Sequence, residues 1–442
     1  MNTSLGYTET SFLPTETGNN INNPVLYAFI ANPYTRVKNP NTGEYEDGPT
    51  GFNLVEQMEE SYNFQDQIKV VSGAYLRYEF IPGLVARTNW GVDYSQFIDD
   101  FRINANAPNQ SGINGEQGTI SRGYSQSASF IGTTSLQYAR QFGSVHSMRV
   151  MVAQEIVRAN SNGFSFGGYG LNDKLGSAAA ITQGTPTNNF IAEVSGFNTD
   201  NALLSYFADG QYSYESRFTG SFSVRMDGSS RFGSNNRYAL FYSVGGSWNL
   251  MAESFMTGRQ KFNDLKLRIS YGTQGRQTGI GDFQSLALYG TGANYAGQQG
   301  IAPIQPANPD LKWESKTSLD IGVDFNMFAS RLSGTIDYYN NLTTDMFVSL
   351  PLSRTSGFSQ LSINGGELRN TGLEVSLNTI NLIRGDFQWA TTLNVTFNKN
   401  RITDLAFENY AARETGFSVG NAIGTYAMVE WAGVNPSNGD PL

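Results

Sequence analysis

The sequence has no cysteine and one histidine, His146, so it lacks the side chains on which disulfide scaffolds and thiolate metal sites depend. Charged residues make up 15% of its 442 residues, against about 25% in an average soluble domain. No stretch approaches the ~20 consecutive apolar residues that a membrane-spanning helix needs. These absences exclude a disulfide-stapled domain, a thiolate metal centre and a helical membrane protein.

The charge balance is acidic, with 38 Asp and Glu against 29 Lys and Arg and a formal net charge of −9. A nucleic-acid-binding domain needs a basic patch, so we predict no nucleic-acid partner. Residues 163–167 match G-x-S-x-G, but a nucleophile elbow needs a strand before it, a helix after it and a histidine partner. A glycine-rich loop is predicted there, and His146 is predicted to be a solvated turn residue. The chain is therefore predicted to be no enzyme and to hold no cofactor or metal.

What the sequence does contain is alternation of apolar and polar residues over lengths that cross a bilayer as tilted strands, about 9–11 residues. At 218–226 the even positions are Phe, Gly, Phe, Val and Met, and the odd positions are polar. The regular strands predicted in this way are 202–214, 218–226, 238–249, 264–271, 318–327, 332–341, 367–380 and 387–397. Four less regular strands are predicted at 68–80, 84–95, 125–139 and 145–157.

Twelve charged residues in or next to the cores of the eight regular strands all fall on the polar side of the alternation. They are Asp209, Arg217, Arg225, Asp227, Arg237, Asp264, Lys266, Arg268, Asp320, Asp324, Asp337 and Glu374. Three bulky residues, Phe207, Phe241 and Tyr339, break the pattern on that side. One side is thus free of charge, as contact with lipid requires.

Short and long connections alternate along the chain. Short turns are predicted at 81–83, 141–144, 215–216, 328–331 and 381–385, and long loops at 96–124, 158–201, 276–312 and 342–366. One pair of connections breaks the rule. The connection at 250–263, where a tight turn is expected, is longer than the loop at 228–236. Outer-membrane barrels have this asymmetry. A soluble antiparallel sandwich also alternates, but its strands peak at about 5–6 residues, so the pattern favours the barrel.

The loop at 276–312 is the candidate ligand surface, since it combines aromatic rings with amides. Its candidate ligand-facing residues are Phe283, Tyr289, Tyr295 and Gln298, followed by Gln299. A hydroxyl-rich ligand needs both apolar ring faces and hydrogen-bonding amides. The alternative is that the tyrosines belong to an interfacial girdle and the amides only solvate the loop.

The segment 225–233, R-M-D-G-S-S-R-F-G, resembles the R-x-D-G-S-S-R-F-G signature of the SusC/RagA family, TonB-linked outer-membrane transporters of Bacteroidota. Further segments resemble family motifs in the same order: G-x-W at 246–248, E-x-F at 253–255, L-K-L-R-x-S-Y-G at 265–272, N-P-x-L-x-W-E at 308–314 and N-x-G-x-x-x-N-x-G-x-E at 364–374. His146 is similar to a histidine that follows a periplasmic turn in the family. At 241–243 the chain has F-Y-S where the family usually has F-P-S.

The resemblance implies a set of motif residues with structural or lumen roles. They are Arg225, Asp227, Ser229, Ser230, Arg231, Phe232, Trp313, Glu314, Asn364, Gly366, Asn370, Gly372 and Glu374. It also implies an all-β fold, a partial antiparallel transmembrane β-barrel with about 12 strands of a plugged barrel of roughly 22 strands. Inward charges would then either contact the plug or line the solute path.

The implied function is import across the bacterial outer membrane, driven through TonB and assisted by a SusD-like surface lipoprotein. The implied ligand is a glycan, with a peptide as the second possibility, and the remaining partner is outer-membrane lipid. A passive porin-like or structural barrel without TonB coupling is the alternative, and a soluble carbohydrate-binding sandwich is the third hypothesis.

The domain prediction has three parts: a loop-rich entry segment at 1–67, barrel strands at 68–400, and the start of a further loop and strand region at 401–442. We expect both ends to be truncations, with the plug domain, TonB box and signal peptide outside this chain. Such a piece has two open sheet edges, which lipid does not tolerate.

Overall fold

A computed structural model of the chain describes residues 1–12, 24–46, 53–105, 107, 118–172, 174–185, 190–258, 261–406, 418–426 and 430–441. Its two α-helices are α1 (Pro24–Ile30) and α2 (Leu54–Glu59). The strands are β1 (Asn2–Phe12), β2 (Ser61–Ile81), β3 (Leu84–Ile103), β4 (Thr119–Phe142), β5 (His146–Tyr169), β6 (Glu193–Tyr214), β7 (Phe218–Ser229), β8 (Tyr238–Asn249), β9 (Phe262–Arg276), β10 (Leu288–Tyr295), β11 (Gln298–Gln305), β12 (Glu314–Met327), β13 (Leu332–Thr344), β14 (Phe347–Pro351), β15 (Gln360–Asn364), β16 (Gly366–Arg384) and β17 (Phe387–Leu405). Single-turn 3₁₀ helices occupy Ala178–Ala180, Leu250–Ala252, Ser254–Met256 and Arg354–Ser356. Within the described ranges, no helix is long and apolar enough to cross a membrane.

Thirteen strands form one sheet in the order β1 to β9, β12, β13, β16 and β17. Neighbours in the sheet follow one another along the chain, except that two hairpins, β10–β11 and β14–β15, are inserted into long connections. Pairing is antiparallel between β1 and β2 and throughout β6 to β17. In the described part of the chain the sheet is not closed, and β1 and β17 stand at its ends. All twelve predicted strands are present.

The register gives the sheet an apolar face and a polar face. One row across five strands consists of the cross-strand partners Ile269, Ile321, Tyr338, Leu373 and Phe397. All five side chains are large, hydrophobic and exposed. Because successive strand residues point to opposite sides, the adjacent row is polar, with Arg268, Gly322, Asp337 and Glu374 as partners. The predicted separation of charge from apolar side chains is therefore confirmed.

Strands extend well beyond the predicted boundaries, which corrects two loop predictions and one strand end. β4 and β5 have 24 residues each. At about 3.3 Å per residue, such a strand is far longer than the ~25 Å apolar band of a membrane barrel. The predicted loops at 96–124 and 158–201 shrink to the connections between β3 and β4 and between β5 and β6, and β17 continues past residue 400. The added strand residues have no regular alternation of apolar and polar side chains over a bilayer-crossing length, so the sequence pattern did not mark them.

Predicted loops at 276–312 and 342–366 are also more ordered than expected, since they contain the hairpins β10–β11 and β14–β15. The entry segment predicted as loop-rich contains β1, which pairs with β2 from Asn2 with Gly73 to Phe12 with Asn63. Alternation did not mark this strand, because Leu5 and Tyr7 are its only large apolar residues before Phe12. The other residues are small or polar.

Short turns lie at or next to the five predicted positions, but residues 381–384 of the predicted turn 381–385 belong to β16, and Gly385 and Asp386 make that turn. The turn between β6 and β7 is made by Glu215 and Ser216, both at positive φ, as the tight turns of β-hairpins require. Phe328, Ala329 and Ser330 form a similar left-handed turn between β12 and β13. The longer connection between β8 and β9 holds the two 3₁₀ turns.

The chain divides into two compact units. One comprises Met1–Tyr75, Asn89–Gly132 and Val157–Asn201, and it contains a buried cluster of Ile120, Leu171 and Ala180. The other comprises Leu76–Thr88, Thr133–Ile156 and Ala202–Leu442, and it contains the largest buried cluster together with a smaller one of Ile402 and Leu405.

Candidate functional site

The polar face of β9, β12 and β13 carries an ion-paired triad centred on Arg268. Its guanidinium donates two hydrogen bonds to Asp324, at 2.9 and 2.8 Å, and one to Asp337 at 2.8 Å. Gly322 is the cross-strand partner of both Arg268 and Asp337, and a Cβ there would collide with the Asp337 carboxylate. The glycine therefore leaves the space through which the arginine reaches across a strand.

A second group surrounds Arg225, the first residue of the 225–233 motif. Its guanidinium donates to Asp227 at 2.6 Å, to Glu155 at 2.8 Å and to the Ser205 hydroxyl at 2.9 Å. It also lies over the ring of Phe207, 4.8 Å from the centroid. Charge-assisted bonds of this kind are roughly twice as strong as neutral ones. Both arginines are thus held by carboxylates of the sheet itself.

The three bulky residues predicted on the polar face, Phe207, Phe241 and Tyr339, each pack against a specific partner. Phe207 is the ring beneath Arg225. Tyr339 packs on its cross-strand partner Gly372 and donates to Asn398 at 3.0 Å. Phe241 is buried and meets Trp313 edge-on, with ring centroids 5.8 Å apart.

The largest buried cluster, here called the rim cluster, lies where long connections leave β7, β9 and β12. Its members are Phe232, Phe241, Ile280, Leu311 and Trp313. Phe232 and Trp313 are 1% and 6% exposed, with ring centroids 4.6 Å apart. Since most large apolar residues of the sheet are exposed, this cluster is where the long connections gain their hydrophobic stabilisation.

Hydrogen bonds around the rim cluster join the motif at 225–233 to the motif at 308–314. The backbone N–H of Gly233 donates to the Leu311 carbonyl at 2.9 Å, and the Trp313 Nε1–H donates to the Arg237 carbonyl at 3.1 Å. A Cβ at Gly233 would collide with the Pro309 carbonyl, so the close approach of the two segments requires glycine. Arg231 donates to Asp282 at 2.8 Å.

Other motif side chains extend these connections. The Ser229 hydroxyl donates to Gln277 at 2.8 Å, and the Ser230 hydroxyl accepts from the Ala202 N–H at 2.9 Å. The Arg276 guanidinium pairs with the buried Glu314 at 3.3 Å.

Asn364 joins the third motif to the second. Its side chain accepts from the Lys312 N–H at 2.9 Å and donates to the Lys312 carbonyl at 2.8 Å. It also donates to the Asp345 carbonyl at 2.9 Å. Three segments that lie far apart in sequence therefore meet in one place, a meeting that the pattern alone did not predict.

The remaining residues of the third motif lie along β16, away from the rim cluster. Gly366 is buried beside Met346, and Asn370 accepts a hydrogen bond from Asn400 at 2.7 Å. Gly372 lies under Tyr339, and Glu374 is exposed on the polar face opposite Asp337. This motif therefore maintains the pairing of β16 with its neighbours as well as the rim.

The candidate ligand-facing residues separate into two places. Tyr289, Tyr295 and Gln298 lie in the hairpin β10–β11, where the two tyrosines are 67% and 87% exposed. Phe283 precedes the hairpin and is half-buried, and its carbonyl accepts from the Gln305 amide at 3.0 Å. Gln305 holds the base of the hairpin through further bonds to the carbonyls of Gln284 and Leu286.

Two side-chain groups occur at the opposite, short-turn end of the strands. Glu253 is buried and accepts hydrogen bonds from Arg217 and from the Trp248 Nε1–H, the latter at 2.7 Å. The E-x-F motif contained this glutamate, but its partners could not be read from spacing. His146 lies beside the short turn as the first residue of β5, as expected, but it is half-buried, and its Nδ1 lies 2.6 Å from the Tyr212 hydroxyl.

The G-x-S-x-G match at 163–167 lies within β5 and not in a loop. The Ser165 hydroxyl lies 2.7 Å from that of Ser195. In the described residues no group of three or more metal-ligating side chains occurs.

A groove of about 500 Å³ runs along the polar face of β7, β8, β9 and β12. Five serines and three glycines line part of it, and its charged lining residues are Arg225, Asp227 and Asp320. Small polar side chains leave space there and offer hydroxyl groups to a solute or to another polypeptide segment.

Comparison with known proteins assigns the family. The sequence matches the family described as "TonB dependent receptor-like, beta-barrel" over residues 3–435. The chain belongs to this family. Members of the family are outer-membrane receptors and transporters, so the predicted outer-membrane location and transmembrane barrel fold are confirmed.

Individual relatives of this TonB-dependent receptor barrel agree with the SusC/RagA resemblance. The chain is 32% identical to the TonB-dependent receptor SusC of Bacteroides thetaiotaomicron, over 72% of this chain and 33% of that protein. It is 31% identical to the TonB-dependent receptor P3 of Formosa agariphila, over 81% of this chain and 36% of that protein. The RagAB peptide transporter structure superposes with a TM-score of 0.79 at 26% identity, over 90% of this chain and 44% of that one. The chain spans about a third of the length of these curated relatives.

Proposed function

We propose that the protein containing this barrel segment imports an oligosaccharide across the outer membrane, with energy supplied through TonB and with a SusD-like surface lipoprotein as partner. The supporting observation is the rim cluster, in which three SusC/RagA motifs anchor the long connections at one end of the strands. A passive pore needs no such fixed assembly of loops, whereas capture of a ligand requires a preorganised surface.

The chemistry of the hairpin β10–β11 favours a hydroxyl-rich ligand. Tyr289 and Tyr295 present ring faces, and the amides of Gln298 and Gln299 are exposed beside them. Ring faces cover the apolar side of a sugar, and amides donate and accept hydrogen bonds with its hydroxyls. A peptide is the second candidate, because the RagAB structure that this chain resembles is named a peptide transporter.

Uptake assays on intact cells test the proposal. Cells with the complete protein are expected to take up a labelled oligosaccharide, and uptake should stop when a proton uncoupler removes the energy source for TonB. Uptake that persists with the uncoupler would favour the passive barrel. Uptake of labelled oligopeptides but not of oligosaccharides would assign the ligand to the second class.

Substitution in the hairpin tests the ligand surface. Tyr289→Ala with Tyr295→Ala should lower ligand affinity roughly tenfold or more, since each ring contact contributes about 0.5–1.5 kcal/mol beyond its buried area. Calorimetric titration of the purified protein measures this. The matched control, Tyr289→Phe with Tyr295→Phe, keeps both rings and loses only two hydroxyl groups, so it should bind more tightly than the alanine variant. Equal binding by the alanine variant would remove the hairpin from the ligand site.

A further inference from the structure

A ladder of polar side chains crosses β3 to β6 near their long-connection ends. It runs through Tyr94, Gln126, Asn162, Asn160 and Asn198. Gln126 accepts from Tyr94 at 3.3 Å and donates to Asn162 at 3.2 Å. Asn162 donates to Asn160 at 3.1 Å, and Asn160 donates to Asn198 at 3.2 Å. Tyr124 joins the ladder through its own bond to Gln126 at 3.0 Å.

The ladder lies on the same side of these strands as a patch of exposed apolar side chains. On β3, Trp90 and Val92 are separated from Tyr94 by even numbers of residues, and strand side chains alternate, so all three point to one side. On β4, Phe130 has the same relation to Gln126. Trp90 and Phe130 contact each other with ring centroids 5.4 Å apart, and both are exposed.

This side of the strands is the lipid-facing one, because the chain is an outer-membrane barrel and these apolar rings are exposed in the described part of the chain. The ladder lies beyond the rings, toward the long connections. In outer-membrane barrels an aromatic girdle marks the edge of the hydrocarbon layer, and the longer loops are extracellular. If Trp90 and Phe130 belong to this girdle, the ladder lies at the height of the outer-leaflet headgroups.

Arg158 places a positive charge on the ladder. Along β5 the even positions from Met148 to Ile156 carry no acidic or basic side chain, and Arg158 is the next residue on that side. Its side chain is 68% exposed and donates to Asp200 at 2.8 Å. A guanidinium has five N–H donors, and this is the one hydrogen bond that it makes to the described residues.

We propose that this ladder binds the phosphorylated sugar headgroup of an outer-leaflet glycolipid. The guanidinium of Arg158 pairs with the phosphate, a geometry that arginine matches through paired N–H donors. The tyrosine hydroxyls and amides of the ladder exchange hydrogen bonds with the sugar hydroxyls. The acyl chains then lie against Trp90, Val92 and Phe130. The inference rests on the outer-membrane location and not on the proposed import.

The test uses the complete protein, purified and placed in phosphatidylethanolamine nanodiscs with a small fraction of monophosphoryl lipid A. Mass spectrometry of the intact complex measures how much glycolipid stays bound. Arg158→Gln should lower glycolipid affinity about fivefold to tenfold, the effect of one charge-assisted hydrogen bond. Asp200→Asn breaks the same ion pair but keeps the positive charge, so it should bind the glycolipid at least as tightly as wild type.

A control and a second probe separate the possible outcomes. Arg149→Gln removes an arginine that pairs with Asp209 at 3.4 Å on the polar face of β5, and it should leave glycolipid binding unchanged. Dephosphorylated lipid A should bind wild type and Arg158→Gln equally. Equal losses in Arg158→Gln and Asp200→Asn would overturn the proposal, because they would show that the ion pair has only a structural role. Unchanged binding in Arg158→Gln would overturn it as well.

Discussion

Gly322 shows how a single small residue organises the charges of the polar face. It lies between Arg268 and Asp337 in the register of three strands, and the arginine crosses it to reach the aspartate. A glycine inside a strand usually weakens the strand, since it has no side chain to pack. Here it makes room for the hydrogen bond from Arg268 on β9 to Asp337 on β13, which crosses the strand β12 between them.

Gly322→Ala should separate Arg268 from Asp337, because the added Cβ would occupy the position of the carboxylate. We expect a loss of about 1–3 kcal/mol, the usual range for an overpacked site. The temperature at which the complete barrel loses its heat-modifiable migration in gel electrophoresis measures the change.

Gly220→Ala is the matched control for that substitution. Gly220 lies in β7, and a Cβ there would meet no atom within 4 Å. Its stability should equal or slightly exceed wild type, because alanine restricts the unfolded chain more than glycine does. Equal stability of the two variants would show that the triad contributes nothing measurable.

At the scale of elements, the rim cluster holds several connections together through buried apolar contacts. Phe232 belongs to the connection after β7, Ile280 to that after β9, and Leu311 and Trp313 to the segment before β12. Each connection alone buries little apolar surface. Together they enclose Leu311 and Phe232 almost completely.

Trp313→Ala should release these connections without unfolding the strands. Removal of a buried tryptophan side chain typically costs about 3–5 kcal/mol, and the strands retain their own hydrogen bonds. Limited proteolysis should then cut within 277–312 faster than in wild type, while circular dichroism shows an unchanged strand content. Trp313→Phe keeps a ring against Phe232 and should be cut at the wild-type rate. Cleavage that is no faster in the alanine variant would contradict a role of the cluster in anchoring the loops.

At the scale of the whole molecule, the two ends of the sheet determine whether this segment is stable in lipid. β1 and β17 each have one neighbour in the described sheet, so one edge of each strand presents unpaired backbone groups. Hydrocarbon offers no hydrogen bonds to such groups, and each unsatisfied group costs several kcal/mol.

The 442-residue chain expressed alone should therefore not insert into detergent micelles or vesicles as a stable monomer. We expect aggregation or pairing between edges, with no heat-modifiable band and full digestion by protease. The complete protein under the same conditions is the control and should give a compact, heat-modifiable band. A protease-resistant monomer of the isolated chain would show that its edges pair with each other.

Much of this architecture could be predicted because lipid imposes a simple rule on sequence. Charges at Arg225, Arg268 and Asp337 on one side, and Ile269, Ile321 and Phe397 on the other, follow from an alternation of period two. Strand ends beyond the membrane could not be predicted, since water on both sides removes the alternation. The outer parts of β4 and β5 were missed for that reason, and β1 was missed because small and polar residues surround its apolar Leu5 and Tyr7.

The sequence by itself determined which face meets lipid, where the tight turns lie and to which family the chain belongs. Tertiary structure alone decided which residues meet. Arg231 with Asp282, Asn364 with Lys312, and Arg158 with Asp200 are pairs between segments far apart along the chain. Their meeting depends on register and on loop paths, and no local periodicity encodes either of these. The strands of the barrel are therefore predictable from the alternation of apolar and polar residues, whereas the contacts between their connections are not.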